Sequence, residues 1–128
     1  MKMIDDLRNE INLLSRLELK RLYKIKERVN RQDYTVYDTW GYVVSFNKLT
    51  VRFCIVASSN PCYTQSHRWT RRNNTKNVAN FYYAELNNES FLTPAKKDDL
   101  PLLVGIEYKF PELDLILRGK IKVKVLDT

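Results

Sequence analysis

The spacing of apolar residues changes period once along this chain, and that change limits the folds open to it. Ile4, Leu7, Ile11 and Leu14 recur at steps of three and four, and Leu22, Ile25 and Val29 resume the pattern. Such spacing predicts an amphipathic helix over residues 1–32. Between the two runs the seam meets Glu18 and takes an extra step of four, a stutter rather than a clean heptad. Asp5, Asp6 and Glu10 near its start and Lys24, Lys26, Arg28 and Arg31 near its end suit the helix dipole. No Gly or Pro interrupts residues 1–40. A helix this long would reach past its own domain, which predicts self-association through residues 4–29.

Beyond residue 33 the period falls to two. Residues 34–46 are rich in Tyr, Val, Thr and Trp, which favour strands. Asn47 and Lys48 then form a hairpin turn. Residues 49–57 alternate, with Leu49, Val51, Phe53 and Ile55 on one face and Thr50, Arg52, Cys54 and Val56 on the other. Residues 58–77 are polar and lack a period, as in a long functional loop. Strands are expected at 78–86, although a short helix also fits there, and at 102–110. Residues 87–99 read as loop, with a helical turn after Thr93 and Pro94. Leu113, Leu115 and Leu117 alternate until Gly119, and Ile121, Val123 and Val125 alternate with three lysines. The expected fold class is α+β: a long N-terminal helix followed by a mainly antiparallel sheet or small open β-barrel of five or six strands. The helix, residues 1–32, is the oligomerisation element, and residues 33–128 form the β-rich ligand-binding part of one compact unit.

Charge then narrows the function. The chain has 128 residues and a net charge of +7, and residues 39–84 contain six basic side chains and no acidic one. A field of one sign favours a polyanionic partner. No apolar run approaches the roughly 20 residues of a membrane span, and the first residues lack the apolar core of a signal peptide, so a cytoplasmic protein with no membrane partner is expected. With 3 Gly in all, a glycine-rich phosphate loop is excluded.

Aromatic residues are interleaved with the basic ones, which suits bases stacked on rings and phosphates held by Arg and Lys. The densest segment surrounds Arg68, Trp69, Arg71, Arg72 and Asn73. There an Arg fork can grip phosphate, a Trp can stack, and an Asn can read a base edge. Lys76, Phe81 and Tyr83 extend this candidate site. The competing reading makes Phe81 and its aromatic neighbours core and the arginines a solvated loop. A second anion patch comprises Arg21, Lys24, Arg28 and Arg31, which share a stripe if the segment is helical; otherwise they are a solvated basic face. Lys120, Lys122 and Lys124 fit an edge guarded against aggregation.

Enzyme signals are weaker. Glu107 and Lys109, with Asp98 and Asp99 upstream, resemble the acid and Glu-x-Lys arrangement of metal-dependent nucleases, but too little chain follows them for the usual flanking helices. Cys54, Cys62 and His67 match no zinc-finger spacing and lack a fourth ligand. A Cys62–His67 nucleophile pair has no local support. No cofactor and no metal site are expected. In composition alone, with many Asn, Lys and Tyr and few Ala and Gly, the chain resembles accessory proteins of phages and mobile elements. The expected function is non-enzymatic binding of a phosphate-bearing ligand, chiefly nucleic acid. The alternatives are an oligomer that binds or sequesters a nucleotide or cyclic nucleotide signal between subunits, and a protein-binding inhibitor of a host factor.

Overall fold

The computed structural model describes residues 17–30, 35–63, 77–86 and 92–127. Among them six strands form: β1 (Leu22–Asn30), β2 (Thr35–Phe46), β3 (Thr50–Ser58), β4 (Val78–Tyr82), β5 (Leu92–Pro94) and β6 (Tyr108–Lys109). They make one antiparallel sheet in the order β4–β3–β2–β1–β5, with β6 added to β3 beyond β4. Two short helices, α1 (Tyr83–Leu86) and α2 (Pro111–Leu117), and 3₁₀ turns at Pro61–Tyr63, Lys97–Asp99 and Pro101–Gly105 lie around it. No helix among the described residues is long and apolar enough to cross a membrane.

The long N-terminal helix is the main correction to the expected fold class, which becomes a mainly antiparallel sheet with small helices. Residues 1–16 lie outside the described residues. Residues 17–20 form a turn, in which Lys20 adopts a positive φ of 69° that no helix accommodates. From Leu22 onward the chain pairs with β2, Leu22 opposite Tyr42 and Arg28 opposite Val36. The apolar residues at 22, 23 and 25 suit an interior strand buried on both faces, whereas a helix would bury one stripe and leave Tyr23 off it. Leu22 and Ile25, expected in a self-association seam, are at most 1% exposed inside the fold.

β3 is the centre of the molecule. Val51, Phe53 and Ile55 point into one layer and Cys54 and Val56 into the other, all of them buried. The first layer also holds Tyr23, Phe81, Tyr83, Leu86, Leu92 and Phe110. Phe53 meets Tyr23 and Phe81 edge to face at 6.2 and 5.6 Å, pairs worth about 0.5–1.5 kcal/mol each beyond their area. The second layer packs Leu22, Trp40, Tyr42, Cys54 and Val56 beneath Leu103, Leu113 and Ile116. Each such side chain, fully buried, contributes about 1.5–3 kcal/mol.

The C-terminal third departs from the expected strands. Pro101 opens a 3₁₀ helix where a strand was expected at 102–110, and pairing is left to Tyr108 and Lys109. Leu113, Leu115 and Leu117 lie on α2, not on a strand. Pro111 sits in its first turn with Glu112 and Asp114, and Leu113 and Ile116 bury its i, i+3 stripe. Gly119, at φ 76°, ends the helix in a Schellman arrangement, its N–H bonding the Ile116 carbonyl and that of Lys120 the Leu115 carbonyl. The tail then crosses beside β1, bridged in parallel at Arg21–Lys124 and Lys96–Leu126. Ile121, Val123 and Val125 pack inward while Lys120, Lys122 and Lys124 stay exposed.

Candidate functional site

Of the loop residues expected to bind ligand, Arg68, Trp69, Arg71, Arg72, Asn73 and Lys76 lie outside the described residues. The stems of that loop are firmly seated: Tyr63 is buried in the first layer, and Asn77 is buried with its amide Nδ2 donating to the Ile55 carbonyl. Phe81 and Tyr83, expected beside the loop, are core residues. Phe81 packs on Phe53, and the Tyr83 hydroxyl donates to the Asn47 carbonyl at 2.6 Å. Burial pushes the Tyr83 hydroxyl pKa above its ordinary value.

The residue between them is different. β4 pairs with β3 so that Tyr82 stands opposite Thr50 and Asn80 opposite Arg52, and β2 places Ser45 opposite Arg52. Residues directly opposite share a face. Ser45, Thr50, Arg52, Asn80 and Tyr82 therefore project from the face that carries the second layer, at an end that the layer leaves open. Tyr82 is 56% exposed. The Arg52 Nε donates to Asn80 Oδ1 at 3.3 Å, and both guanidinium Nη groups are without a hydrogen-bond partner among the described residues. A shallow groove of about 230 Å³ runs between Ser45, Phe46, Asn47, Thr50, Arg52 and Asn80. Asn47 shapes its wall, since its Oδ1 accepts from the Leu49 and Thr50 N–H groups and closes the β2–β3 hairpin. Lys48 and Leu49 are exposed at the tip. The surface thus offers an Arg fork, a free phenol ring and an amide, in a stretch of sequence without a carboxylate.

The second anion patch is reorganised by the strand. Lys24 and Lys26 fall on one side of β1 by alternation, and Arg21 falls on the other; the Arg28 side chain lies outside what the structure describes. Arg31 lies outside the described residues. Lys24 pairs with Asp38 at 3.6 Å, and its ammonium lies 5.5 Å from the centroid of the Trp40 ring. Lys20 sits 5.4 Å from the centroid of Tyr42 in the same way. Arg21 instead pairs with Glu18 at 3.1 Å, which also receives Lys124.

Two of the nuclease-like residues are engaged locally. Asp99 caps the Lys96 N–H at 2.8 Å, and the Lys109 ammonium donates to the Ile106 carbonyl at 3.0 Å. Cys54 is a buried thiol that accepts from Asn77 Nδ2, and desolvation, then the Cys54 contact, raises the neighbouring Tyr42 hydroxyl pKa. No described group of three or more His, Cys, Asp or Glu side chains is placed to hold a metal ion.

Arg52, Asn80 and Tyr82 were missed by sequence reasoning. Their signal was parity: Arg52 is a charged residue in a strand apolar on both sides of it, and Tyr82 is the outward member of an aromatic run. No family model, no curated protein and no solved structure matches this chain.

Proposed function

We propose that the protein is a non-enzymatic nucleic-acid-binding protein, and that the open hairpin end of the sheet contacts single-stranded polynucleotide. The observation that carries the reading is the Arg52–Asn80–Tyr82 row. Asn80 fixes the Arg52 guanidinium by its Nε, so its fork is pre-aimed for phosphate oxygens. Tyr82 stands free beside it as a stacking plate for a base. The loop residues Arg68, Trp69, Arg71, Arg72, Asn73 and Lys76 belong to the proposal on sequence grounds.

The shape of the groove favours a polymer over a small nucleotide. At about 230 Å³ it is smaller than the roughly 300–1,000 Å³ clefts that enclose small ligands. A polymer gains affinity by adding weak contacts along an open surface, which such a groove permits.

The test is fluorescence anisotropy with a labelled oligothymidylate. Arg52→Gln should weaken binding roughly tenfold, and Tyr82→Ala should cost about 1–3 kcal/mol, with Tyr82→Phe near the parent value. Parent-like binding by both Arg52→Gln and Tyr82→Ala would show that the hairpin end is not the site.

A further inference from the structure

Two lysines, far from Arg52 in sequence, belong to the same face. The Lys20 N–H bonds the Val43 carbonyl at 2.8 Å, which places Lys20 level with the Val43–Phe53 pair, about one residue along the strand from Arg52 and two strands from β3. At about 4.8 Å per strand that is roughly 10 Å. Lys24 follows about 13 Å farther along the strand direction, and Lys26 about 7 Å beyond it. Beneath Lys20 and Lys24 lie Tyr42 and Trp40, each ammonium within 5.5 Å of a ring centroid. Both rings are at most 8% exposed, so they cannot stack a base and serve as floors that hold the lysines on this face.

Lys20 carries a further mark. Its φ of 69° is uncommon for a residue with a side chain, and a glycine would take it without strain. Its N–H and its carbonyl are both engaged, by the Val43 carbonyl and the Lys124 N–H at 2.8 Å each. The backbone is held from two sides in a conformation that the lysine side chain does not favour, and the ammonium forms no ion pair with any described acid. Lys26 is likewise exposed and forms no ion pair among the described residues, although it stands opposite Asp38, which offsets part of the Lys24 charge.

We infer that Lys20 and Lys24, with Lys26, form a phosphate rail that continues the Arg52 site across the sheet, so that the ligand is a single strand several nucleotides long. This inference rests on the reading of the hairpin end given above. The straight span from Arg52 to Lys26, about 10 Å across the strands and about 23 Å along them, is about 25 Å, roughly seven stacked nucleotides at about 3.4 Å each and fewer if the strand is extended. That lies within the ~4–16 nucleotide footprints of single-strand grooves.

The experiment compares labelled oligothymidylates of about three and about twelve nucleotides, with a duplex of about twelve base pairs beside them. Lys20→Gly is the informative variant. It removes the ammonium and relieves the backbone, so the thermal midpoint should hold or rise. With Lys24→Gln it should weaken the longer strand roughly five- to tenfold, leave the shorter one unchanged, and lower the salt slope by about 1.4. Arg52→Gln should weaken both strands. If the lysine variants bind the longer strand like the parent while Arg52→Gln does not, the rail is overturned and the hairpin-end site stands. If Arg52→Gln is itself without effect, the underlying reading fails. Duplex bound as tightly as single strand would overturn the ligand class.

Discussion

Gly41 and Gly119 are constrained for different reasons, and single substitutions separate them. Gly41 lies at the irregularity in the β2–β3 pairing, where a Cβ would stand 2.9 Å from the Cys54 carbonyl oxygen. The obstacle is backbone of a strand buried on both faces, which cannot yield. Gly41→Ala should therefore cost about 1–3 kcal/mol by overpacking. At Gly119 a Cβ would meet nothing within 4 Å, and only the positive φ resists it. Gly119→Ala should cost about 1–2 kcal/mol. Urea midpoints of the two variants would check both, with the Gly41 variant also losing near-ultraviolet signal from Trp40 beside it. The aromatic run at 81–83 shows how legible single residues were. Composition marked it as a site, but alternation decides which ring is free. Once Phe53 is inside, Phe81 follows and Tyr82 must point out. Sequence reasoning chose Phe81 and Tyr83 because the pairing partner of β4 is a long-range fact that no local pattern carries.

For whole elements, β1 was ambiguous in a specific way. Leu22, Ile25 and Val29 satisfy a helical period, while Lys24, Lys26 and Arg28 against Tyr23 and Ile25 satisfy alternation equally well. Hydrogen bonding to β2 on one side and β5 on the other settled the matter, and β5, about 70 residues downstream, is a partner that no local pattern reveals. The hairpin at Asn47 and the strand after it were readable because their signals are local. α2 was misread for the converse reason: three alternating leucines mimic a strand, and the Pro at its first position is the cue that outweighs them. The tail is tied to the start of β1 by Glu18, which accepts from Arg21 and Lys124. The Arg21 hydrogen bond and charge, then Lys124, hold the Glu18 carboxyl below its ordinary value of 4.5. A carboxyl depressed in the folded state stabilises above its unfolded pKa, and that contribution fades as pH falls through the folded value. Glu18→Gln should accordingly be less stable than the parent at neutral pH, with the gap closing as pH drops below 4.5. Paired urea melts across that range would show it, and a gap that stays constant with pH would rule the tether out.

Across the molecule, the charge asymmetry that was legible in the sequence acquires a geometry. The carboxylate-free stretch supplies β3 and β4, and its described arginine stands at the open end of a face whose middle is closed by α2 and the tail. β1 lays its lysines on the same face. A polymer that contacts these basic residues neutralises phosphates one at a time, and each releases counterions, with a slope of about −0.7 per contact for a single strand. If Arg52, Lys20, Lys24 and Lys26 each take one phosphate, the slope of log affinity against log salt should be near −2.8. A fourfold rise in salt would then weaken binding by roughly 50-fold. Contacts from residues 64–76 would steepen this further, so about −2.8 is the shallowest slope expected if the lysine rail takes part. A nucleotide held by one phosphate group in a pocket would give a slope near −1 or less. Titrations at several salt concentrations with the full chain therefore separate the two ligand classes without any substitution, and Arg52→Gln should shift the slope by about 0.7 toward zero if its fork holds a phosphate.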